Sequence, residues 1–437
     1  MNHSGTASIS SANAGSYTIT NLAGITLADN AGLASNYTLT GGTHNFTVNP
    51  KVISLSGSRL YDATTDAVAS DLTTISGLVG SETLNLSGTG SVTNANVASN
   101  KTVTLGTLAL ADNSGLAANY TLSGGTHQLT INQRPLAATV ARQYDGTKTA
   151  AGSDLSSFDA LQGGETLTLS GSGTVGDENV ANGQGITLGT LALVDGTGLA
   201  SNYSLNSASL NITERVLNSS GSKTYDANTN ALAGAITLSN LVSGEALNHS
   251  GTATISSANA GSYTITNLAG ITIADGSGGT ASNYTLTGGT HNFTVNPKVV
   301  SIQGNKTYDG NTTISSGDIT SITDTVGAET LVISSGSGTV SSANAATYAS
   351  AGINEGTLTL GNGTNGGLAS NYTLTGHAAS SFQVAQRVLS SSGSRIYDGS
   401  TTASSSDLTL SNLVGSETLT LSGNGTLANA NVGTNKS

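Results

Sequence analysis

Five times along the chain a tyrosine is followed directly by an aspartate: Tyr61-Asp62, Tyr144-Asp145, Tyr225-Asp226, Tyr308-Asp309 and Tyr397-Asp398. A phenol beside a carboxylate could build a ligand site, the ring offering a stacking face and the acid an acceptor. The flanking residues favour a plainer role. Each pair is followed by Gly or Ala and then by Thr, Ser or Asn, the make-up of a turn in which Asp bonds its own backbone and the next residue takes a positive φ. The tyrosine is then expected at a sheet edge, half-buried, with its hydroxyl tied to backbone.

Other groups with chemical potential recur in step. Asn-Tyr-Thr/Ser-Leu carries Tyr37, Tyr120, Tyr203, Tyr284 and Tyr372, so two repeating positions hold ten of the 13 tyrosines. Its asparagines, Asn36, Asn119, Asn202, Asn283 and Asn371, each open an Asn-x-Ser/Thr sequon, the acceptor of N-glycosylation. An acid, Glu82, Glu165, Glu245, Glu329 or Glu417, follows each Tyr-Asp tyrosine by 20 or 21 residues. Ten of the 13 basic residues also sit at two positions, Lys51, Arg134, Arg215, Lys298 and Arg387, then Arg59, Arg142, Lys223, Lys306 and Arg395. The second set shares a strand face with the tyrosine two residues on, and an ion pair with the repeating Glu is expected, worth little if exposed. A Lys-to-Asn isopeptide bond does not suit this position as a general device, because three of the five residues are Arg. Asp29, Asp112, Asp195 and Asp275 recur before the Asn-Tyr stretch as weak calcium candidates, hard oxygen ligands being what that ion takes. No Asp-x-Asp-x-Asp-Gly loop supports them, and Gly361-Asn362 replaces them once, so a plain turn is the stronger reading.

No catalytic set emerges. The six histidines join no fixed Ser and Asp, and no nucleophile elbow, P-loop or zinc motif is present. Cysteine is absent, which removes disulfides and thiol chemistry. An enzyme has little use for five equivalent copies of one site, so no catalytic activity and no cofactor are expected.

These markers define a module of about 82 residues. The sixteen residues at 35–50 stand again at 282–297, close to three modules later, as expected of an array that grows by duplication. The chain divides into a partial repeat (1–50), repeats at 51–133, 134–214, 215–297 and 298–386, and a partial repeat (387–437). Both ends stop mid-repeat, so a piece of a longer array is expected. Within 51–133, period-two alternation between Gly, Asn, Asp and Ser punctuation predicts strands at 52–61, 72–78, 82–92, 101–110, 120–123 and 127–132. The expected fold is all-β, a tandem array of antiparallel, Ig-like β-sandwich modules. A β-grasp-like sheet is the rival, and a β-helix is disfavoured because its coils repeat at a shorter period. All three prolines, Pro50, Pro135 and Pro297, fall at the repeat boundaries, where a missing N–H suits a strand start or edge. With almost no linker, a stiff rod spanning on the order of 150 Å is expected from about 3.3 Å of rise per strand residue.

Composition narrows the partners. Charged residues make up 9% and Gly accounts for 57 of 437 positions, a profile of extracellular β repeats or of disorder, and the disciplined alternation argues for the former. A net charge of −12 with 13 basic residues excludes nucleic acid as a partner, since phosphates call for clustered Lys and Arg. No apolar run is long enough for a membrane span. The N-terminus lacks the basic and apolar regions of a signal peptide.

The chain resembles the YDG or MBG type repeats of large bacterial surface exoproteins, filamentous haemagglutinin-like adhesins among them. Lys306-Thr307-Tyr308-Asp309-Gly310-Asn311-Thr312-Thr313, the Gly-Ala-Glu-Thr-Leu at 327–331 and Asn371-Tyr372-Thr373-Leu374 carry the resemblance, which extends over essentially the whole length. Tyr61-Asp62 and Tyr225-Asp226 depart from it, with Ala after the Asp. The resemblance implies secretion to the cell surface of a Gram-negative bacterium, association with the outer membrane, a role in adhesion or biofilm, and no catalytic residue. The expected function is the stalk of a surface adhesin, each repeat contacting chiefly its neighbours. The alternative is a multivalent module whose repeats each touch host glycan, matrix or a neighbouring cell.

Overall fold

The computed structural model describes residues 2–436; Met1 and Ser437, which bound the two partial repeats, lie outside the described residues. Among the described residues every element is a β-strand or a three-residue 3-10 turn, and one β-module recurs along the chain, as the periodicity predicts. No helix among them is long and apolar enough to cross a membrane. Two compact units, Met1–Glu214 and Arg215–Ser437, part at a repeat boundary.

Repeat 51–133 shows how the module is built. At the centre of a four-stranded sheet lie Ser54–Leu60 and His127–Asn132, flanked by Thr74–Ser76 and Ala98–Thr102. Alternation buries Leu55, Leu129 and Ile131 on one face. Two short ladders close the other side of the core: Asp66–Val68 with Thr89–Ser91, and Leu84–Ser87 with Ala109–Asp112. The predicted strands 82–92 and 101–110 are each interrupted by glycine. At Gly88 φ is +87°, and a Cβ there would lie 2.2 Å from the Thr107 carbonyl oxygen; Gly106 has φ +55°.

Purely antiparallel pairing is not what forms. The central pair is parallel, His127 opposite Leu55 and Asn132 opposite Leu60. Parallel neighbours need a long crossover, and the intervening hairpins supply it. The consequence is directional: a chain whose first and last strands run the same way enters a module at one end and leaves at the other. Repeat 134–214 accordingly begins with Arg134–Gln143, one residue after His127–Asn132 ends, and pairs in parallel with its own last strand, Tyr203–Thr213.

In repeat 215–297 the long strand Leu247–Ile255 pairs with both Asn230–Leu232 and Ile271–Asp275, and a bulge carries it on to Gly261–Asn267. Its ladders thereby merge into one seven-stranded sheet. In each unit the apolar core runs through a repeat boundary. One core contains Tyr61 and Leu129 together with Leu136, Leu167 and Tyr203; the other joins Tyr225 and Phe293 to Leu331, Tyr372 and Phe382.

Candidate functional site

The repeating tyrosines and glutamates meet at those boundaries. Tyr61 donates its hydroxyl to Glu165 Oε1 at 2.5 Å, and Tyr203 donates to the other oxygen, Oε2, at 2.6 Å. The same triad forms with Tyr225 and Tyr372 on Glu329, at 2.7 and 2.6 Å. In both, the Tyr-Asp tyrosine belongs to one repeat and the Glu and Asn-Tyr tyrosine to the next. The two rings stack edge to face, with centroids 5.2 Å apart for Tyr61–Tyr203 and 5.3 Å for Tyr225–Tyr372. Tyr308 bonds Glu417 across the following boundary. Within single repeats, Tyr120 bonds Glu82 and Tyr284 bonds Glu245.

In the four complete repeats the Asn-Tyr hydroxyl is also an acceptor, taking the backbone N–H of Val79, Gln162, Val242 or Val326. That N–H lies just before the Glu and holds its loop against the ring. The expectation of a Tyr-Asp hydroxyl tied to backbone is therefore corrected: its partner is a neighbour's carboxylate. Burial, and then the hydrogen bond to the glutamate, push Tyr61 and Tyr225 up to about 12, and Tyr203 and Tyr284 likewise. Tyr37 and Tyr397, in the partial repeats, are exposed.

A second contact flanks the triad. Asn202 Oδ1 accepts the N–H of Val97 at 2.9 Å and its Nδ2 donates to Asn96 Oδ1 at 3.1 Å. Asn371 does the same with Ala260 and Asn259, and Asn119 with Ala14 and Asn13. Sequence reasoning missed these loop partners. Their signal was legible, because Asn followed by Ala or Val recurs at Asn13, Asn96, Asn179, Asn259, Asn344 and Asn431 in step with the other markers. The clasped sequon residues Asn202 and Asn371 have 0–1% of their surface exposed and Asn119 is half-buried, whereas Asn36 is exposed. Arg134 and Arg387 close the boundary by donating to the carbonyls of Tyr61 and Tyr308.

The second basic residue does not pair with the glutamate. Arg59, Arg142, Lys223, Lys306 and Arg395 each reach the Asp three residues on, at Asp62, Asp145, Asp226, Asp309 and Asp398. The physical reason is distance along the strand: the turn brings its Asp back over the preceding residues, while the Glu is held by phenols. Asp62 Oδ1 also accepts the N–H and hydroxyl of Thr64, both at 2.9 Å. Burial works to raise the Asp226 and Asp309 carboxyls, but the lysines and turn amides prevail and hold them below their ordinary value. The next residue takes positive φ: Gly146 +73°, Gly310 +81°, Gly399 +79°, and the two alanines Ala63 +63° and Ala227 +60°.

Asp29, Asp112, Asp195 and Asp275 cap the 3-10 turn before the Asn-Tyr tyrosine, accepting the N–H of Ala34, Ala117, Ala200 and Ala281 at 2.6–2.7 Å. Asn362 accepts from Ala369 at 2.8 Å in the same way, so the position needs an oxygen and not a charge. His127 and His291 are also in structural use, each with its Nε2 on the carbonyl five residues earlier.

Mixed-sheet β-modules joined by a tyrosine–carboxylate–tyrosine contact define a tandem-repeat architecture. The chain belongs to the YDG domain family, whose model matches residues 43–128, 126–211, 210–293 and 384–437. Repeat 298–386 lies almost wholly outside these matches, yet it carries Tyr308, Glu329 and Tyr372 in equivalent contacts. The chain matches no protein of curated function.

Proposed function

We propose that the chain is the structural repeat region of a secreted or surface-displayed bacterial adhesin, holding a binding domain away from the cell. The observation that supports this best is the use of the repeating side chains. Tyr61, Glu165 and Tyr203, with Asn202 and Asn96, are spent on joining one repeat to the next, as are their counterparts around Glu329. A module that the chain enters at one end and leaves at the other extends an array with each copy, and nearest-neighbour contacts make its stability a sum over repeats.

One observation favours the multivalent alternative. Leu33, Leu116, Leu199 and Leu368 occupy one repeat position and are all exposed, a regular apolar foothold that many weak contacts could use. Purified chain added to bacteria that display the array, with attachment to host cells, matrix and sister cells counted, separates the two. Unchanged attachment, combined with attachment lost when repeats are deleted from the displayed protein, is the expected result. Inhibition at about micromolar protein or below, the range of specific association, overturns the spacer reading in favour of direct binding.

A further inference from the structure

At the second basic position the identity of the residue is coupled to the one five places on. Where that position is Arg59, Arg142 or Arg395, the fifth residue is Thr64, Thr147 or Ser400; where it is Lys223 or Lys306, the fifth residue is Asn228 or Asn311. An Asp stands third in every case. A carboxamide is thus present only where an amine faces it.

The two lysines are enclosed and in contact with both groups. Lys306 Nζ lies 2.9 Å from Asp309 Oδ1 and 3.0 Å from Asn311 Oδ1, with 6% of its side chain exposed. The carbonyls of Asn311 and Thr313, each at 2.8 Å, aim the same nitrogen. Lys223 Nζ lies 2.7 Å from Asp226 Oδ1 and 2.8 Å from Asn228 Oδ1. The carboxamide carbon is one bond beyond each Oδ1, so amine, electrophile and a proton-carrying carboxylate share one turn.

From this geometry we infer that Lys306–Asn311 and Lys223–Asn228 are sites of self-catalysed isopeptide bond formation, with Asp309 and Asp226 as the proton carriers. The lysine holds the acid below its ordinary value, so the proton passes from ammonium to carboxylate only in a minor state of the ion pair, and in that state the freed amine lone pair attacks the Asn Cγ. As the Nζ–Cγ bond forms, a proton lost from Nζ and the one held by the Asp pass to the leaving Nδ2, the Cγ–Nδ2 bond breaks, and ammonium departs. No oxidant or reductant takes part. Arg cannot do this chemistry, since its guanidinium stays protonated, and Thr or Ser offers no carboxamide. The cross-link is therefore confined to two repeats, where it closes the turn next to Tyr225 and Tyr308, the tyrosines passed to the following repeat. It stands independently of the adhesive role.

The test is the intact mass of the full chain under denaturing conditions. The expected result is a deficit of one ammonia per site, two in all, with peptide mapping that keeps Lys306 joined to Asn311 and Lys223 to Asn228. The variant Lys223→Arg/Lys306→Arg, which installs the residue other repeats carry, returns to full mass. Full mass in the unaltered chain overturns the inference. A deficit that persists in the double Arg variant also overturns it, because the ammonia would then come from an asparagine succinimide. A single deficit abolished by Lys306→Arg retains that site and refutes the one at Lys223.

Discussion

Tyr225 and Glu329 stand 104 residues apart in the chain and 2.7 Å apart in the fold, phenol oxygen to carboxylate oxygen, with a repeat boundary between them. Tyr61 and Glu165 repeat the relationship at the same separation. Because each carboxylate also holds a tyrosine of its own repeat, the bond ties one module's terminal turn to the next module's core.

Removing either end of that bond loosens the boundary. Tyr225→Phe is expected to cost about 1–2 kcal/mol and Glu329→Gln about 1.5–3 kcal/mol, the range for hydrogen bonds to charged groups. Combined in one chain they should cost less than their sum, since they act on one interaction. Denaturant unfolding of the four proteins reads this directly, and full additivity would refute the coupling.

High pH should part the repeats before it harms an ordinary β-protein. Tyr61 and Tyr225 are pushed from the usual 10 up to about 12 by burial and by their glutamates. A raised folded value gives stability that is complete below pH 10 and lost as pH climbs through 12. Tyrosinate absorbance and unfolding midpoints followed from pH 9 to 12 should show late ionisation coupled to a falling midpoint.

The asparagine clasp predicts both stability and modification. Asn371→Ala removes its bonds to Ala260 and Asn259 and should cost about 1–3 kcal/mol by leaving buried groups unpaired. A bacterial N-glycosylating enzyme given the folded chain should modify Asn36 while sparing Asn202 and Asn371. Modification of Asn371 in folded protein would contradict the buried clasp.

At the Tyr-Asp turn, glycine and alanine should exchange with opposite signs. Ala227→Gly relieves a left-handed alanine and is expected to stabilise by up to about 1 kcal/mol, whereas Gly310→Ala should cost about 1–2 kcal/mol. A Cβ at Gly310 would also lie 2.9 Å from Val414 Cγ1. Thermal unfolding of the two variants checks the signs.

The capping aspartates make a last distinction. Asp112→Asn should be nearly neutral, as Asn362 shows, and Asp112→Ala should lose about 0.5–2 kcal/mol. A calcium-dependent midpoint abolished by Asp112→Asn would instead restore the metal reading.

Much of this protein could be read from its sequence, because the forces concerned are local. Alternation in His127–Asn132 states which face is buried, Asp62 and the residue after it state a turn, and five copies of each marker state the module and its period. Even the loop asparagines, Asn96 and Asn259 among them, were visible as a repeat, though not as a clasp. Two things only the tertiary structure decided. The first and last strands of a module lie parallel because the hairpins between them act as a crossover, and alternation looks the same for either strand direction. The partners of the charged groups followed from that stacking. The repeat pattern offered Glu165 a basic partner at Arg142, but the fold surrounds it with two phenols, one from its own repeat and one from 104 residues upstream, and spacing along a chain carries no record of which surfaces will meet.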